Sequence, residues 1–314
     1  MKKLTDFSKQ LSKCFTLVVI IWAFFNYLFP QTSTWVIPNT SYLLGIILFG
    51  MGLTLQTEDF VRISKRPIPV ILGTVAHYII MPSLAWLLCH LFHLTGATAA
   101  GVILVGSCPS GTSSSVMAFL SGGDVALDVS IEILSTLLAP IMLPLLLSIL
   151  AGQFIAVPAV SLFLSTLRIV VPIILGVLVH TLLGKKINAI IQLMPLISQV
   201  AILLIIGAIV SANHANIFTT ATALVIPVVM LHNLCGYGLG FVFSKLLHLK
   251  ETQQKAITFE VGMQDSSLGA TLAMKYFVPQ AAIPSTIFSI WHNISGSILS
   301  SWWKNHSKVH KENA

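Results

Sequence analysis

Four acids stand inside long apolar runs of this chain: Asp128, Glu132, Glu260 and Asp265. The remaining six, Asp6, Glu58, Asp59, Asp124, Glu251 and Glu312, fall in tails or between runs. A carboxylate near the middle of a bilayer costs roughly 2.5–3.5 kcal/mol even on the forgiving insertion scale, and such groups mark ion or substrate pathways. Basic partners are scarce, because Arg168 and Lys275 are the only Lys or Arg residues within runs apart from Lys245 and Lys255, which flank the connection between the eighth and ninth. The four acids therefore read as cation ligands or proton carriers. Asp128 and Glu132 are four residues apart and share one helical face. Two carboxylates in a poorly hydrated site cannot both ionise cheaply, so the pair is expected to share a proton.

Two polar stretches surround these acids. "CPSGTSSSVMAFL" at 108–120 sets Pro109, Gly111 and the hydroxyls of Thr112, Ser113, Ser114 and Ser115 within the fourth apolar run, with residues 108–115 read as the interruption. "EVGMQDSSLG" at 260–269 does the same in the ninth. Backbone freed at membrane depth is tolerated only where protein or a water-filled cavity satisfies it. Hydroxyls there can cap a new helix start or ligate a cation. The interruptions read as binding elements rather than as close helix packing.

The elements that must position these residues follow from composition. The chain has 314 residues, is 55% hydrophobic and 9% charged, and has a mean hydropathy of +0.90; soluble domains carry about 25% charged residues. Apolar runs lie near 14–29, 40–56, 68–93, 96–122, 126–151, 160–183, 188–210, 220–247, 252–277 and 281–301. None alternates as barrel strands do. We expect an all-α membrane protein, a single integral domain over 1–314, with ten transmembrane helices. Two five-helix halves, about 14–151 and about 160–301, place the broken fourth and ninth helices at corresponding positions, and an odd number of spans inverts the second half. Paired broken helices in inverted repeats point to the central site of a transporter. Lys2 and Lys3 before an apolar run could open a signal peptide, but no small-x-small cleavage site follows.

Fifteen of the 17 basic residues fall in alternate connections or tails, which predicts a multi-pass protein of the cell membrane with both termini cytoplasmic. The net charge of +7 then reflects topology and contact with anionic membrane lipid, not nucleic-acid binding. Cys14, Cys89, Cys108 and Cys235 lack metal-site spacing. "GYGLG" at 236–240 lacks the spacing of a nucleotide loop. His232 and Asn233 read as a satisfied packing pair, and Trp302 and Trp303 as an interfacial belt.

"CPSGTSSSVMAFLSGGDVALDVS", "LSTLLAPIMLP" and "ITFEVGMQDSSLGATLA" resemble the crossover regions of the bile acid:sodium symporter family, and bacterial members are similar over the whole chain. The resemblance implies a core domain of spans 3–5 and 8–10, in which broken helices 4 and 9 cross, beside a panel of spans 1, 2, 6 and 7. It also implies alternating-access transport of organic anions, either bile acids or smaller carboxylates such as pantoate. One sodium site would draw on Ser114, Ser115, Asp128, Glu132 and Glu260. A second would draw on His77, Glu260, Gln264 and the carbonyls of Val261 and Met263. Substrate would meet Thr112 and Ser113, with Asp265 and His292 nearby.

Several positions depart from the family pattern. Asn is the family residue at the place of Ser115, Ser or Thr at Asp128 and Glu132, Gln at His77 and Asn at Asp265. Apart from Ser115, neutral ligands have become titratable ones. Either the added carboxylates elaborate sodium sites, since anionic oxygen cages suit hard cations, or a proton replaces one or both sodium ions, with His77 as a further carrier. The sequence favours the proton. Asp265, if ionised, would repel a carboxylate substrate. No cofactor beyond Na⁺ or H⁺ and no obligate protein partner is expected; the substrate is a small organic molecule. The competing class is an intramembrane protease with Ser110 or Asp124 and Asp265, both versions lacking full signatures.

Overall fold

The computed structural model describes residues 15–55, 65, 67–215 and 220–312, and these are helical apart from turns and short connections. The helices are α1 (Phe15–Leu28), α2 (Thr40–Thr54), α3 (Pro67–Leu91), α4 (Gly96–Ser107), α5 (Ser113–Ser121), α6 (Val125–Leu150), α7 (Ala159–Leu183), α8 (Asn188–Asn213), α9 (Thr220–Leu246), α10 (Glu251–Gly262), α11 (Ser266–Tyr276) and α12 (Ile283–Glu312). Two 3-10 segments, Pro30–Thr32 and Thr34–Asn39, join α1 to α2. Six segments among the described residues are long and apolar enough to cross a membrane: Pro30–Thr54, Pro67–Leu91, Val125–Leu150, Ala159–Leu183, Asn188–Asn213 and Ala223–Leu246.

The interruptions are narrower than the polar stretches that announce them. Only Cys108–Thr112 separates α4 from α5, and only Met263–Asp265 separates α10 from α11. Ser113–Ser115 and Ser266–Gly269 already belong to the new helices. The reason is local: Asp265 caps α11 by accepting from the Leu268 N–H at 3.0 Å, and a capped serine-rich start is a competent helix N-terminus. The tenth run also continues past its predicted end, because α12 runs on through Trp302 and Trp303 to Glu312. Pro140 and Pro144 leave α6 unbroken.

Packing sorts the helices into two groups. α2 lies against α7 and α8, and α8 against α1; α3 contacts α4, α6, α9 and α10, while α12 contacts α5, α9 and α11. α2 and α7 approach so closely that a Cβ on Gly176 would lie 2.7 Å from the Leu53 nitrogen. Most of the buried apolar side chains, among them Met81, Ile103, Leu104, Ile131, Leu143 and Phe288, form one core centred on the second group and continuing into α2, α7 and α8 through Leu44, Leu48, Ile173 and Ile205. Leucines, isoleucines and valines of α7 point outward instead, Leu167, Val171 and Leu182 among them.

The two interruptions meet. Ser110 and Gln264 form an isolated antiparallel bridge, and the Asp265 N–H donates to the Pro109 carbonyl at 2.8 Å. Each break thus supplies backbone partners for the other, which is how unwound chain survives inside a bundle.

Candidate ion and substrate site

Asp128 and Glu132 sit in the first turns of α6 and Glu260 in the last turn of α10, so the crossing brings them to one point. All three are buried, and one oxygen from each lies within 4.8 Å of the others. Ser114, at the start of α5, is buried between them: its Oγ bonds Asp128 Oδ2 at 3.0 Å and also Glu260 Oε1. A hydroxyl carries one hydrogen and can donate to one carboxylate only. The second contact therefore needs a proton on the other carboxyl group or a cation between the oxygens. Asp128 Oδ1 and Glu260 Oε2 are buried without a hydrogen-bond partner. Unpartnered buried carboxylate oxygens are costly, and hard oxygen donors of this kind suit Na⁺ or a proton.

The second predicted ion set is arranged differently. His77 on α3 is fully buried, with Nδ1 2.9 Å from the Glu260 carbonyl and Nε2 2.9 Å from the Cys108 carbonyl. Both partners are acceptors, so the ring ties the end of α10 to the end of α4 by donating to both main-chain oxygens as an imidazolium, or to one of them as a neutral imidazole. The Gln264 amide nitrogen, oriented to satisfy its surroundings, donates to the Cys108 carbonyl at 2.7 Å and to Val105 at 3.3 Å. The Met263 carbonyl accepts from Ser110 Oγ at 3.4 Å. Val261 is buried beside them.

Ser115 does not join the carboxylates. Its Oγ turns back to the Thr112 carbonyl at 2.9 Å, and the residue faces a cavity of about 910 Å³. That cavity separates α1, α2 and α8 from α5, α6, α11 and α12, and Thr112, Ser113, Glu132, Gln264, Asp265 and His292 line it. No Lys or Arg does. Thr112 makes no side-chain cap on α5, whereas the Asp265 carboxylate already occupies the start of α11. The Ser114 N–H at the start of α5 donates to the Gly111 carbonyl at 2.9 Å, but no side-chain carboxylate caps α5. An anion entering this cavity thus meets a helix start without a competing negative charge at α5 rather than at α11. His292 is 97% buried, with an unpartnered Nδ1. Glu132 belongs both to the cavity wall and to the carboxylate cluster, so the two compartments touch.

Sequence reasoning weighed Ser110 only as a protease nucleophile and read Asn233 only as one of a packing pair, without their partners. Asn233 on α9 donates to the Gly262 carbonyl at 2.8 Å and accepts from Ser295 Oγ at 2.6 Å, which satisfies the end of α10. His232 Nε2 meets the Met81 carbonyl at 2.9 Å. Both fit the expected packing role. The signal for Asn233 was an amide inside an apolar run; nothing in the sequence disclosed its partner. The Lys2–Lys13 tail, Asp6, Glu58, Asp59, Arg62 and Arg66 lie outside the described residues.

The pattern of the family described as "Sodium Bile acid symporter family" matches residues 41–220. The chain is 44% identical over its whole length to "Uncharacterized sodium-dependent transporter YocS" of Bacillus subtilis (strain 168), covering 96% of that protein. It is 35% identical over 298 residues to "Probable sodium/metabolite cotransporter BASS2, chloroplastic" of Oryza sativa subsp. japonica, a match spanning 94% of this chain and 71% of the relative. It is 33% identical over 299 residues to "Probable sodium/metabolite cotransporter BASS1, chloroplastic" of Arabidopsis thaliana, with coverages of 94% and 74%.

Proposed function

This chain belongs to the sodium bile acid symporter family, a family of membrane transporters and not of enzymes, and on that premise we propose that it carries an organic anion by cation-coupled alternating access. The observation that carries the reading is the contact between compartments: Glu132 faces the cavity and also stands in the buried carboxylate cluster. Loading that cluster with a cation neutralises the wall against which the anion must lie, so each species favours the other's binding. The ten helical spans, with α4–α5 and α10–α11 each counted as one, form two inverted repeats. The helices α1, α2, α7 and α8 act as the panel against which the remaining core moves, and both termini are cytoplasmic.

The coupling ion in this reading is Na⁺, in keeping with the sodium-dependent naming of the relatives. Asp128, Glu132, Glu260 and Ser114 hold it, and one carboxyl group keeps a proton. A second reading, in which a proton replaces Na⁺, draws on the single Ser114 hydrogen shared between two carboxyl groups. His77 in both readings braces the crossing and sets the Glu260 main chain. The substrate is a small carboxylate or a bile-acid-like anion whose charged end meets Thr112 and Ser113 at α5. Asp265 faces that end as an acceptor, which favours substrates bearing a hydroxyl or another donor beside the carboxylate, pantoate being one such compound. His292 supplies a further polar contact.

The deciding experiment is uptake of labelled pantoate and taurocholate into liposomes containing the purified protein, with an inward Na⁺ gradient or an inward proton gradient imposed separately. Uptake under Na⁺ alone is the expected result. Uptake under a proton gradient without Na⁺ selects the second reading. If neither ion drives uptake across a wide panel of organic anions, the transport reading fails.

A further inference from the structure

Two cations within the apolar helices have no role in the site just described. Arg168 emerges from α7 among outward-facing Leu164, Leu167 and Val171, and Lys275 lies on the last turn of α11; both side chains are exposed. Neither makes an ion pair among the described residues. An arginine on a hydrocarbon-facing helix surface costs kilocalories unless its charge reaches polar headgroups or finds an anion.

Lys275 is tied to the helix that carries Arg168. Lys275 Nζ donates to Ser165 Oγ at 3.4 Å and lies 5.3 Å from the centre of the Tyr276 ring. Ser165 also hydrogen-bonds the Tyr276 hydroxyl. Arg168 is three residues beyond Ser165 on the same helix, so their Cβ atoms are about 5–6 Å apart. Arg168 roots about 4.5 Å deeper along the axis, but helical side chains tilt toward the helix N-terminus. That tilt returns its guanidinium toward the level of Lys275. This is the edge of the bundle where α7 begins and α11 ends, and the Asn213–Pro279 hydrogen bond of 3.0 Å puts the end of α8 there too.

We propose that Arg168 and Lys275, with the Tyr276 hydroxyl, bind the phosphate of an anionic phospholipid at this edge of the bilayer. The surface faces acyl chains, so a lipid is the source that can deliver an anion along an apolar helix flank. Two cations with no carboxylate paired to either among the described residues favour a headgroup of net negative charge over a zwitterionic one. The inference is independent of the identity of the transported substrate.

The test titrates the full-length protein in detergent with phosphatidylglycerol or phosphatidylcholine of identical acyl chains, reading bound lipid by native mass spectrometry. The unmodified protein should prefer phosphatidylglycerol by about five-fold per cation engaged. R168Q and K275Q should each lower the preference, and the double variant should abolish it. K304Q, on α12, should leave it unchanged. R168K with K275R keeps both charges and should keep the preference, which provides the comparison if the neutral double variant does not fold. Equal binding of the two lipids by the unmodified protein, or an undiminished preference in the neutral variants, would overturn the proposal. Displacement of phosphatidylglycerol by millimolar inorganic phosphate would overturn the assignment to lipid.

Discussion

Ser110 and Gln264 face each other across an antiparallel bridge formed by the two unwound segments, with Gly111 beside it so close that a Cβ would lie 2.6 Å from the Gln264 carbonyl oxygen. The crossing, and with it the encounter of Ser114, Asp128 and Glu260, depends on that approach.

Gly111→Ala should therefore separate the breaks. Overpacking of this kind costs about 1–3 kcal/mol, and the displaced crossing should also move Ser114 away from the carboxylates. The expected outcome is a lowered melting temperature together with loss of Na⁺-dependent stabilisation, both read in one thermal-shift series. A normal ion response in this variant would contradict the role given to the crossing.

Ser114→Ala removes the hydroxyl shared by Asp128 and Glu260. Hydrogen bonds to charged groups contribute about 1.5–3 kcal/mol, so cation affinity should drop roughly ten-fold or more. Glu260→Gln should abolish the cation response while binding of substrate at saturating concentration persists. Calorimetric titration with NaCl, then with pantoate, separates the two effects.

Asp265→Asn should leave cation binding intact and change substrate preference, because the residue lines the cavity and caps α11 with its carboxylate. Asparagine keeps a capping oxygen and replaces an acceptor-only face with one that can also donate. Plain carboxylates should gain relative to hydroxy acids in competition uptake. An unchanged rank order would remove Asp265 from the substrate site.

His292→Ala should raise KM about two- to ten-fold, the worth of one ordinary hydrogen bond, with little change in kcat or in the Na⁺ dependence of uptake. A fall in kcat with KM unchanged would assign His292 to the conformational cycle instead.

Asn233→Leu leaves the Gly262 carbonyl without its partner and the Ser295 hydroxyl with only its longer contact of 3.3 Å to the His292 carbonyl. Each buried group left unsatisfied costs about 1–3 kcal/mol, so the variant should be markedly less heat-stable. Its binding constants, measured below the new transition, should stay close to those of the unmodified protein.

Helix positions were legible because the bilayer demands long apolar runs and the sequence supplies them; the breaks were legible because Pro109, Gly111 and clustered hydroxyls have no place in such runs. The break lengths were not, since Ser113 and Ser266 are as much helix starters as loop formers until a cap is in place. Ser115 illustrates a different limit. Adjacent to Ser114 in sequence, it points about 100° away around α5, and only the packing of α6 and α10 decides which of the two meets carboxylates.

By itself the sequence determined that this chain is helical and apolar, that its intramembrane acids are concentrated in the fifth run and the interrupted ninth, and to which family it belongs. The family resemblance grouped Asp128, Glu132 and Glu260, but the geometry of their meeting, the cavity shared through Glu132, and the bracing by His77 and Asn233 were decided by tertiary structure. The physical reason is separation: more than 120 residues lie between Glu132 and Glu260, and their juxtaposition arises from the crossing of two breaks, which local residue preferences do not encode.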